Sequence, residues 1–335
     1  MSLPLLLRSA LALAASAVYI DHRSRKSEED HPPTGRFVEV DGVRLHYIEK
    51  GRGRPLVMLH GNSSMAADFE LSGLVDMAAA RYRVIVFDRP GYGYSERPED
   101  RCWTATEQAR LFSQAFAAVG AERPLVLGHS WGAMVAVALG LDFLEAIGGL
   151  VLESGYYYPS VPLALPPSIP IIGNVLRYSV SPLVGRALWP VLLRRVFAPA
   201  AVPAQFRNFP IWLALRPSQL QASLAELALT NAVAEALGKR YGQLSVPTLI
   251  IAGRGDRLVN TEPHSVRLHA EVPHTELRII DGQGHMLHHT RPDAVLEAID
   301  RVAEKVDGQR DASSDEGKGV APGGEPPATG AWGKP

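Results

Sequence analysis

One pentapeptide constrains this chain more than any other feature. The sequence GHSWG at residues 128–132 follows the apolar run 124–127 and precedes an apolar, helix-prone stretch at 133–141. A buried strand that ends in a Gly-x-Ser-x-Gly turn and continues as a helix predicts a nucleophile elbow. The flanking glycines let neighbouring backbone pass close to the turn, and the helix N-terminus favours developing negative charge. We therefore predict that Ser130 is a nucleophile held at a strand end.

A serine hydroxyl needs a base to take its proton, and a base needs an acid to orient it. The chain order expected for such an elbow is serine, acid, histidine. Of the 11 histidines, His285 is best placed, because it follows a predicted strand at 276–280. His288 and His289 lie nearby as alternatives, whereas His129 is interpreted as a packing residue that projects away from Ser130.

The acid and the oxyanion donors are predicted from the same sheet edge. Asp256 follows a predicted strand at 248–252, one strand before the histidine loop, and Glu153 at the end of an earlier strand is the alternative acid. A loop aspartate can also simply cap the following segment. The oxyanion hole is predicted to use the backbone N–H groups of Trp131 and of Asn62, which lies in the loop after the strand at 56–60.

The bulk composition excludes several classes of protein. The chain has 335 residues, of which 46% are hydrophobic and 21% charged, and its net charge of -1 argues against a nucleic-acid partner. Cys102 is the one cysteine, so no internal disulfide forms and no Cys/His cluster has metal-ligand spacing. A catalytic role for Cys102 is disfavoured by its place after a charged loop. We predict no metal, nucleotide or flavin cofactor.

Strand and helix patterns alternate along most of the chain. Continuous apolar strands separated by helices predict a mostly parallel sheet covered on both faces. We assign this core to residues 36–155 and 244–307. Residues 156–243 interrupt the rhythm and predict an inserted helical cap. The cap is apolar and basic: between residues 154 and 225 there are six arginines and no acidic residue. Whether those arginines are solvated or pair with acids on the core is left open.

The two ends differ from this core. Residues 3–20 are apolar and are followed by the basic segment 22–26, which resists translocation. We predict an uncleaved membrane anchor there, with export after cleavage at the small residues 15–17 as the alternative. Membrane contact would involve residues 3–20 and the basic cap. Residues 21–35 are interpreted as a linker, and residues 308–335 as a disordered tail.

Together these motifs resemble the α/β-hydrolase superfamily over about residues 36–306. The resemblance rests on His60-Gly61, on the segment 88–95, on the pentapeptide 128–132 and on the Asp256 and His285 loops. It implies an α/β-hydrolase fold: a mostly parallel eight-stranded sheet with helices on both faces and an inserted helical cap. In that family the segment matching 88–95 is a structural turn, so it implies no chemical role for those residues.

The branch within the superfamily is decided less clearly. His60-Gly61-Asn62 and Trp131 resemble the haloalkane dehalogenases and epoxide hydrolases, but that branch uses an aspartate nucleophile. Displacing a halide or opening an epoxide with serine would leave an ether that water cannot attack at a carbonyl. We therefore expect a serine hydrolase acting on a hydrophobic carboxylic ester through an acyl-enzyme. The alternatives are cleavage of a lactone, thioester, amide or carbon–carbon bond, a perhydrolase side activity, and a non-catalytic binding protein on the same scaffold.

Overall fold

A computed structural model describes residues 3–160 and 176–316. Eight strands form one sheet in the order β1-β2-β4-β3-β5-β6-β7-β8. Strand β1 pairs antiparallel with β2, and β2 with β4, whereas every other pairing is parallel. The mostly parallel eight-stranded sheet predicted from the sequence is confirmed. Its strands are β1 (Arg36–Val40), β2 (Val43–Lys50), β3 (Arg54–Leu59), β4 (Tyr82–Phe87), β5 (Leu125–His129), β6 (Gly149–Glu153), β7 (Thr248–Gly253) and β8 (Glu276–Ile280).

Helices cover both faces because alternate residues of the central strands point to opposite sides. The helices are α1 (Leu3–Asp30), α2 (Ala66–Ser72), α3 (Leu74–Ala78), α4 (Ala105–Ala118), α5 (Trp131–Asp142), α6 (Ser181–Phe197), α7 (Ile211–Ala214), α8 (Pro217–Gly238), α9 (Arg267–Glu271), α10 (Leu287–Thr290) and α11 (Pro292–Glu316). In β3, Val57 and Leu59 pack with α4 and α5, whereas Leu56 and Met58 pack with α2, α3 and α11. Single turns lie at Leu144–Ala146, Ala204–Asn208, Tyr241–Gln243 and Glu262–Val266.

The insertion between β6 and β7 carries α6, α7 and α8. Part of the region predicted as the cap, residues 161–175, lies outside the described residues. Helix α8 turns a face that includes Glu226 and Thr230 toward the core, and both side chains are buried. The cap is therefore docked on the core through polar as well as apolar residues.

The N-terminal prediction is wrong in two respects. Helix α1 continues to Asp30, so residues 21–30 are helical rather than part of a linker. Among the described residues, no helix is long and apolar enough to cross a membrane, which overturns the predicted anchor. The second half of α1 instead lies on the cap, where Tyr19 contacts Trp212 edge to face and Arg216 pairs with an α1 carboxylate, Glu28, at 2.5 Å.

The predicted start of the C-terminal tail also differs from the structure. Helix α11 runs to Glu316, so residues 308–316 are helical and do not belong to a disordered tail. Its apolar residues up to Val306 pack on the sheet, and the helix then extends past the core. The rest of the predicted tail, residues 317–335, lies outside the described residues.

Candidate active site

Ser130 lies on a strained turn between β5 and α5. Its backbone has φ 54° and ψ -116°, a conformation that side-chain-bearing residues rarely adopt. The turn is tight, because a Cβ atom on Gly132 would lie 2.2 Å from the carbonyl oxygen of Leu59. The Ser130 N–H donates to the carbonyl oxygen of Glu153 at 2.8 Å, which ties the turn to the end of β6. These contacts hold Ser130 at the carboxyl edge of the sheet.

His285 and Asp256 meet at the same edge. His285 Nδ1 lies 2.7 Å from Asp256 Oδ2, and both side chains are almost fully buried. The other carboxylate oxygen accepts the N–H groups of Leu258 and Val259 at 2.8 and 2.9 Å. Burial would raise the pKa of Asp256, but His285 and these N–H groups hold it below its ordinary value. An ionised Asp256 keeps the proton on Nδ1, which leaves the Nε2 lone pair free to act as a base.

The residue before Ser130, His129, contacts the histidine loop. The His129 Nε2–H donates to the carbonyl oxygen of His285 at 3.1 Å, and the two rings lie 4.8 Å apart. Among residues 3–160 and 176–316, the Ser130 hydroxyl has no hydrogen-bond partner. Catalytic hydrogen bonds commonly tighten only once substrate is bound. His129 is buried, and it connects the elbow to the histidine loop.

The two predicted oxyanion donors have different surroundings. Trp131 is the first residue of α5, so its N–H has no intrahelical partner. The Asn62 side chain turns toward the cap, where Nδ2 donates to Ser223 O at 3.0 Å and to Glu226 Oε2 at 3.2 Å. The side chain of Asn62 is thus committed to the cap, and only its backbone N–H is left for the predicted role.

The loop that carries Asn62 is fixed by neutral His60. Its Nδ1–H donates to the carbonyl oxygen of Gly61 at 2.8 Å, and its Nε2 accepts the N–H of Arg89 at 3.0 Å. Burial and the Arg89 charge lower the pKa of His60 to about 4. His60 therefore stays neutral at neutral pH and keeps the tautomer that both hydrogen bonds require.

A buried ion pair lies beside this loop and was not predicted from the sequence. The Arg89 guanidinium donates to the carbonyl oxygens of His60 and Gly61 and forms two hydrogen bonds with Glu226 on cap helix α8. Neither side chain of the pair is exposed. Burial opposes both charges, yet mutual attraction raises the pKa of Arg89 and lowers that of Glu226. Glu226 is the first acid after the acid-free stretch 154–225, the one signal that could have drawn attention to it.

The alternative acid contacts a different histidine. Glu153 Oε1 accepts the backbone N–H of His288 at 3.0 Å and lies 2.7 Å from its Nδ1. His288 and His289, the alternative bases, both lie against Asp68. The structure therefore separates these residues from the pair formed by Asp256 and His285.

Comparison with known proteins identifies the family. The family model described as the alpha/beta hydrolase fold matches residues 54–292. The chain belongs to the alpha/beta hydrolase fold family. It is 26% identical over 288 residues to haloalkane dehalogenase 2 of Mycobacterium tuberculosis, covering 80% of this chain and 94% of that protein. It is 30% identical over 277 residues to a 2-hydroxy-6-oxononadienedioate/2-hydroxy-6-oxononatrienedioate hydrolase of Cupriavidus pinatubonensis, covering 75% and 89%.

Solved structures support the same fold. A meta-cleavage product hydrolase from Pseudomonas fluorescens superposes with a TM-score of 0.65 at 21% identity, covering 81% of this chain and 98% of that one. The family and the fold are those of hydrolases, whereas the relatives' names cover more than one reaction. The bond that this chain cleaves therefore has to be argued from its own site.

Proposed function

We propose that this protein is a serine hydrolase that cleaves a hydrophobic carboxylic ester through an acyl-enzyme intermediate. The observation that carries the proposal is the pairing of Asp256 with Nδ1 of His285, together with a serine held on a strained elbow at the same edge of the sheet. In the neutral imidazole this pairing places the proton on Nδ1 and directs the Nε2 lone pair to act as the base that activates a hydroxyl.

The reaction follows from these groups in two halves. Ser130 Oγ attacks the ester carbonyl carbon while His285 Nε2 takes its proton, and the oxyanion is held by the N–H groups of Trp131 and Asn62. The alcohol leaves with the proton from Nε2, and Ser130 stays acylated. Water then attacks the acyl carbon, Nε2 takes a proton from the water and returns it to Ser130, and the carboxylic acid is released.

The surroundings of His285 support a hydrophobic substrate. The next residue, Met286, packs in an apolar cluster with Phe197, Phe206 and Phe209 of the cap and with Met65 of the core. Ser130 and His285 are only 5% and 2% exposed. A substrate that reaches this site exchanges water for apolar and aromatic side chains, which favours an acyl or alkyl group over a charged one.

Carbon–carbon cleavage of a diketone is the second candidate, favoured by the 30% identity to the oxononadienedioate hydrolase. Such a dicarboxylate needs cationic partners. The Arg89 guanidinium lies 5.0 Å from the Trp131 ring, but both of its terminal nitrogens are bound to Glu226. Because Glu226 neutralises this charge, Arg89 gives little attraction to a second carboxylate, which is the reason for preferring an uncharged ester.

The test is a panel of p-nitrophenyl esters of graded acyl length, run beside fluorophosphonate labelling. We expect labelling and hydrolysis in the wild type, a preference for longer acyl chains, and loss of both in Ser130→Ala. Ser113→Ala, a serine on α4 whose hydroxyl donates to the carbonyl oxygen of Arg110, is the matched control and should keep both. Labelling without hydrolysis of any ester would move the proposal to the diketone, and labelling that persists in Ser130→Ala would refute it.

A further inference from the structure

A second group of ionisable side chains lies behind the elbow. We call Asp68, His129 and His288 the inner cluster; they come from α2, the end of β5 and α10. Their side chains are buried, with exposures of 1%, 3% and 0%. Each offers one ligand atom, and these atoms all lie within 4.8 Å of one another. The proposed hydrolysis uses none of these side chains as acid, base or nucleophile.

Hydrogen bonds to neighbouring groups leave one nitrogen of each histidine available. The Nδ1–H of His288 is held by Glu153, so Nε2 is the nitrogen that carries either a proton or a metal ion. The Nε2–H of His129 is held by the carbonyl oxygen of His285, so its lone pair is at Nδ1. Among the described residues, neither of these nitrogens has a hydrogen-bond partner. Metal-binding histidines commonly have this arrangement, in which one nitrogen is anchored and the other is free.

Asp68 is anchored in the same way. Its Oδ1 accepts the Nε2–H of His289 at 2.7 Å, and its Oδ2 accepts the Ser64 hydroxyl at 2.8 Å. Two further polar atoms at the border of the inner cluster, Glu153 Oε2 and His289 Nδ1, are also buried without a hydrogen-bond partner in the described part of the chain. Unpaired buried polar atoms are rare in native proteins and call for an explanation such as an ion.

One distance distinguishes an ion from a hydrogen bond. His288 Nε2 lies 3.4 Å from Asp68 Oδ2. A charged N–H···O bond is normally about 2.7–2.9 Å long, and this contact lacks hydrogen-bond geometry because Nε2 is unpartnered. Two ligands bound tetrahedrally at about 2.0–2.1 Å from zinc are themselves about 3.4 Å apart. The separation matches that of two ligands of a common ion, and it is also that of an ion pair between an imidazolium and a carboxylate.

The charges around the inner cluster also favour a bound cation. Asp68 and Glu153 place two carboxylates, 1% and 0% exposed, on either side of His288. Buried negative charge requires a positive partner, which here is either a proton on Nε2 of His288 or a metal ion. A divalent cation would balance both. Two imidazole nitrogens and one carboxylate oxygen are a donor set that suits zinc and other first-row transition metals and suits magnesium or calcium poorly.

We propose that the inner cluster binds one divalent transition-metal ion, with zinc preferred. The ion would join α2, β5 and α10 beneath the nucleophile elbow. Because its ligands are buried, its contribution is to hold these three elements together rather than to activate water for the reaction. It binds the folded protein and so stabilises it by mass action.

The test measures metal content and thermal stability of the full chain, purified through a tag without histidines. After incubation with Zn²⁺ and desalting, we expect about one equivalent of zinc per chain. Removing it with a chelator should lower Tm, and re-adding Zn²⁺ to a hundredfold excess over Kd should raise Tm by roughly 5 °C. Cobalt(II) bound in place of zinc should give the visible absorption of a low-symmetry nitrogen and oxygen site.

Three variants remove one ligand each, and two of them keep the neighbouring hydrogen bonds. His288→Asn retains a donor to Glu153, His129→Gln retains a donor to the His285 carbonyl, and Asp68→Asn retains the shape of the carboxylate. Each should fold, lose the bound metal and lose the Zn²⁺-dependent rise in Tm. His274→Gln, at an exposed histidine, should behave as wild type.

Two results would overturn the proposal. One is wild-type protein that retains less than about a tenth of an equivalent of zinc, cobalt or manganese and shows no Tm shift; His288 would then be an imidazolium between two carboxylates. The other is equal metal content in wild type and in all three variants. Fluorophosphonate labelling of Ser130 is independent of both results, so failure here leaves the proposed hydrolase to its own test.

Discussion

Replacing Glu226 by Gln tests whether a single charge holds the cap on the oxyanion loop. The substitution keeps the size of the side chain and its acceptor oxygen but removes the negative charge that faces Arg89. The two side chains meet at 2.5 and 3.0 Å, and neither is exposed. Arg89 also donates to the carbonyl oxygens of His60 and Gly61, so its position determines the position of that loop.

Two estimates of the expected loss in the free energy of unfolding agree. Two unit charges about 4 Å apart interact by about 4 kcal/mol at the effective dielectric constant of 20 that suits protein sites. Breaking a buried ion pair by removing one partner costs about 3–5 kcal/mol, because the other charge is left buried without a partner. We therefore expect Glu226→Gln to lower the free energy of unfolding by about 3–4 kcal/mol, a large part of the total for a typical domain.

Urea unfolding with linear extrapolation measures this loss, provided the slope with urea is unchanged. Glu235→Gln is the matched control on the same helix, because its pair with Lys239 is exposed and four residues apart. Such pairs are worth at most about 0.5 kcal/mol. A loss below about 1 kcal/mol in Glu226→Gln, or an equal loss in the two variants, would refute the view that the buried pair fastens cap to core.

Three further predictions concern the elbow, the triad and pH. Gly132→Ala should lower the free energy of unfolding, measured with urea, by about 3 kcal/mol or more, because the added Cβ would lie 2.2 Å from the carbonyl oxygen of Leu59. Gly242→Ala is the control and should lower it little, because its Cβ would meet nothing within 4 Å. Asp256→Asn should lower kcat by about 10⁴-fold for the best ester with little change in unfolding, since the histidine would take the wrong tautomer; a loss below tenfold would contradict the assignment. The pKa of Glu226 lies below its ordinary 4.5, so the ionised carboxylate stabilises the folded protein fully above that pH and less as the pH falls. The difference in free energy of unfolding between wild type and Glu226→Gln should therefore decrease below about pH 4.5. A difference that stays constant down to about pH 3 would contradict this prediction.

Local patterns predicted the elbow well because the turn is encoded within a few residues. The strand before Ser130, the small residues beside it and the helix after it are adjacent in sequence. Likewise, Asp256 and His285 could be predicted because each follows a strand, and parallel strands end at a common edge. The number of strands in the sheet was expected from the family resemblance rather than from any local pattern, and the strand order was not predicted.

At the N-terminus, hydropathy alone gives a wrong prediction. A window over residues 3–20 looks like a membrane segment, but the helix continues through the charged residues to Asp30 and its second half packs on the cap. A helix boundary depends on backbone hydrogen bonds, and these continue across the change from apolar to charged side chains. Packing partners such as Trp212 lie far away in the sequence and add no local signal.

The sequence by itself determined the nucleophile turn and the alternation of strands and helices, because short-range spacing and side-chain size suffice to specify them. Only the tertiary structure could decide which buried charges meet. Arg89 and Glu226 are 137 positions apart, and Glu153 and His288 are 135 apart. An ionic contact is made by whichever opposite charge the folded chain brings near, and the low polarity of the interior then gives that contact its strength.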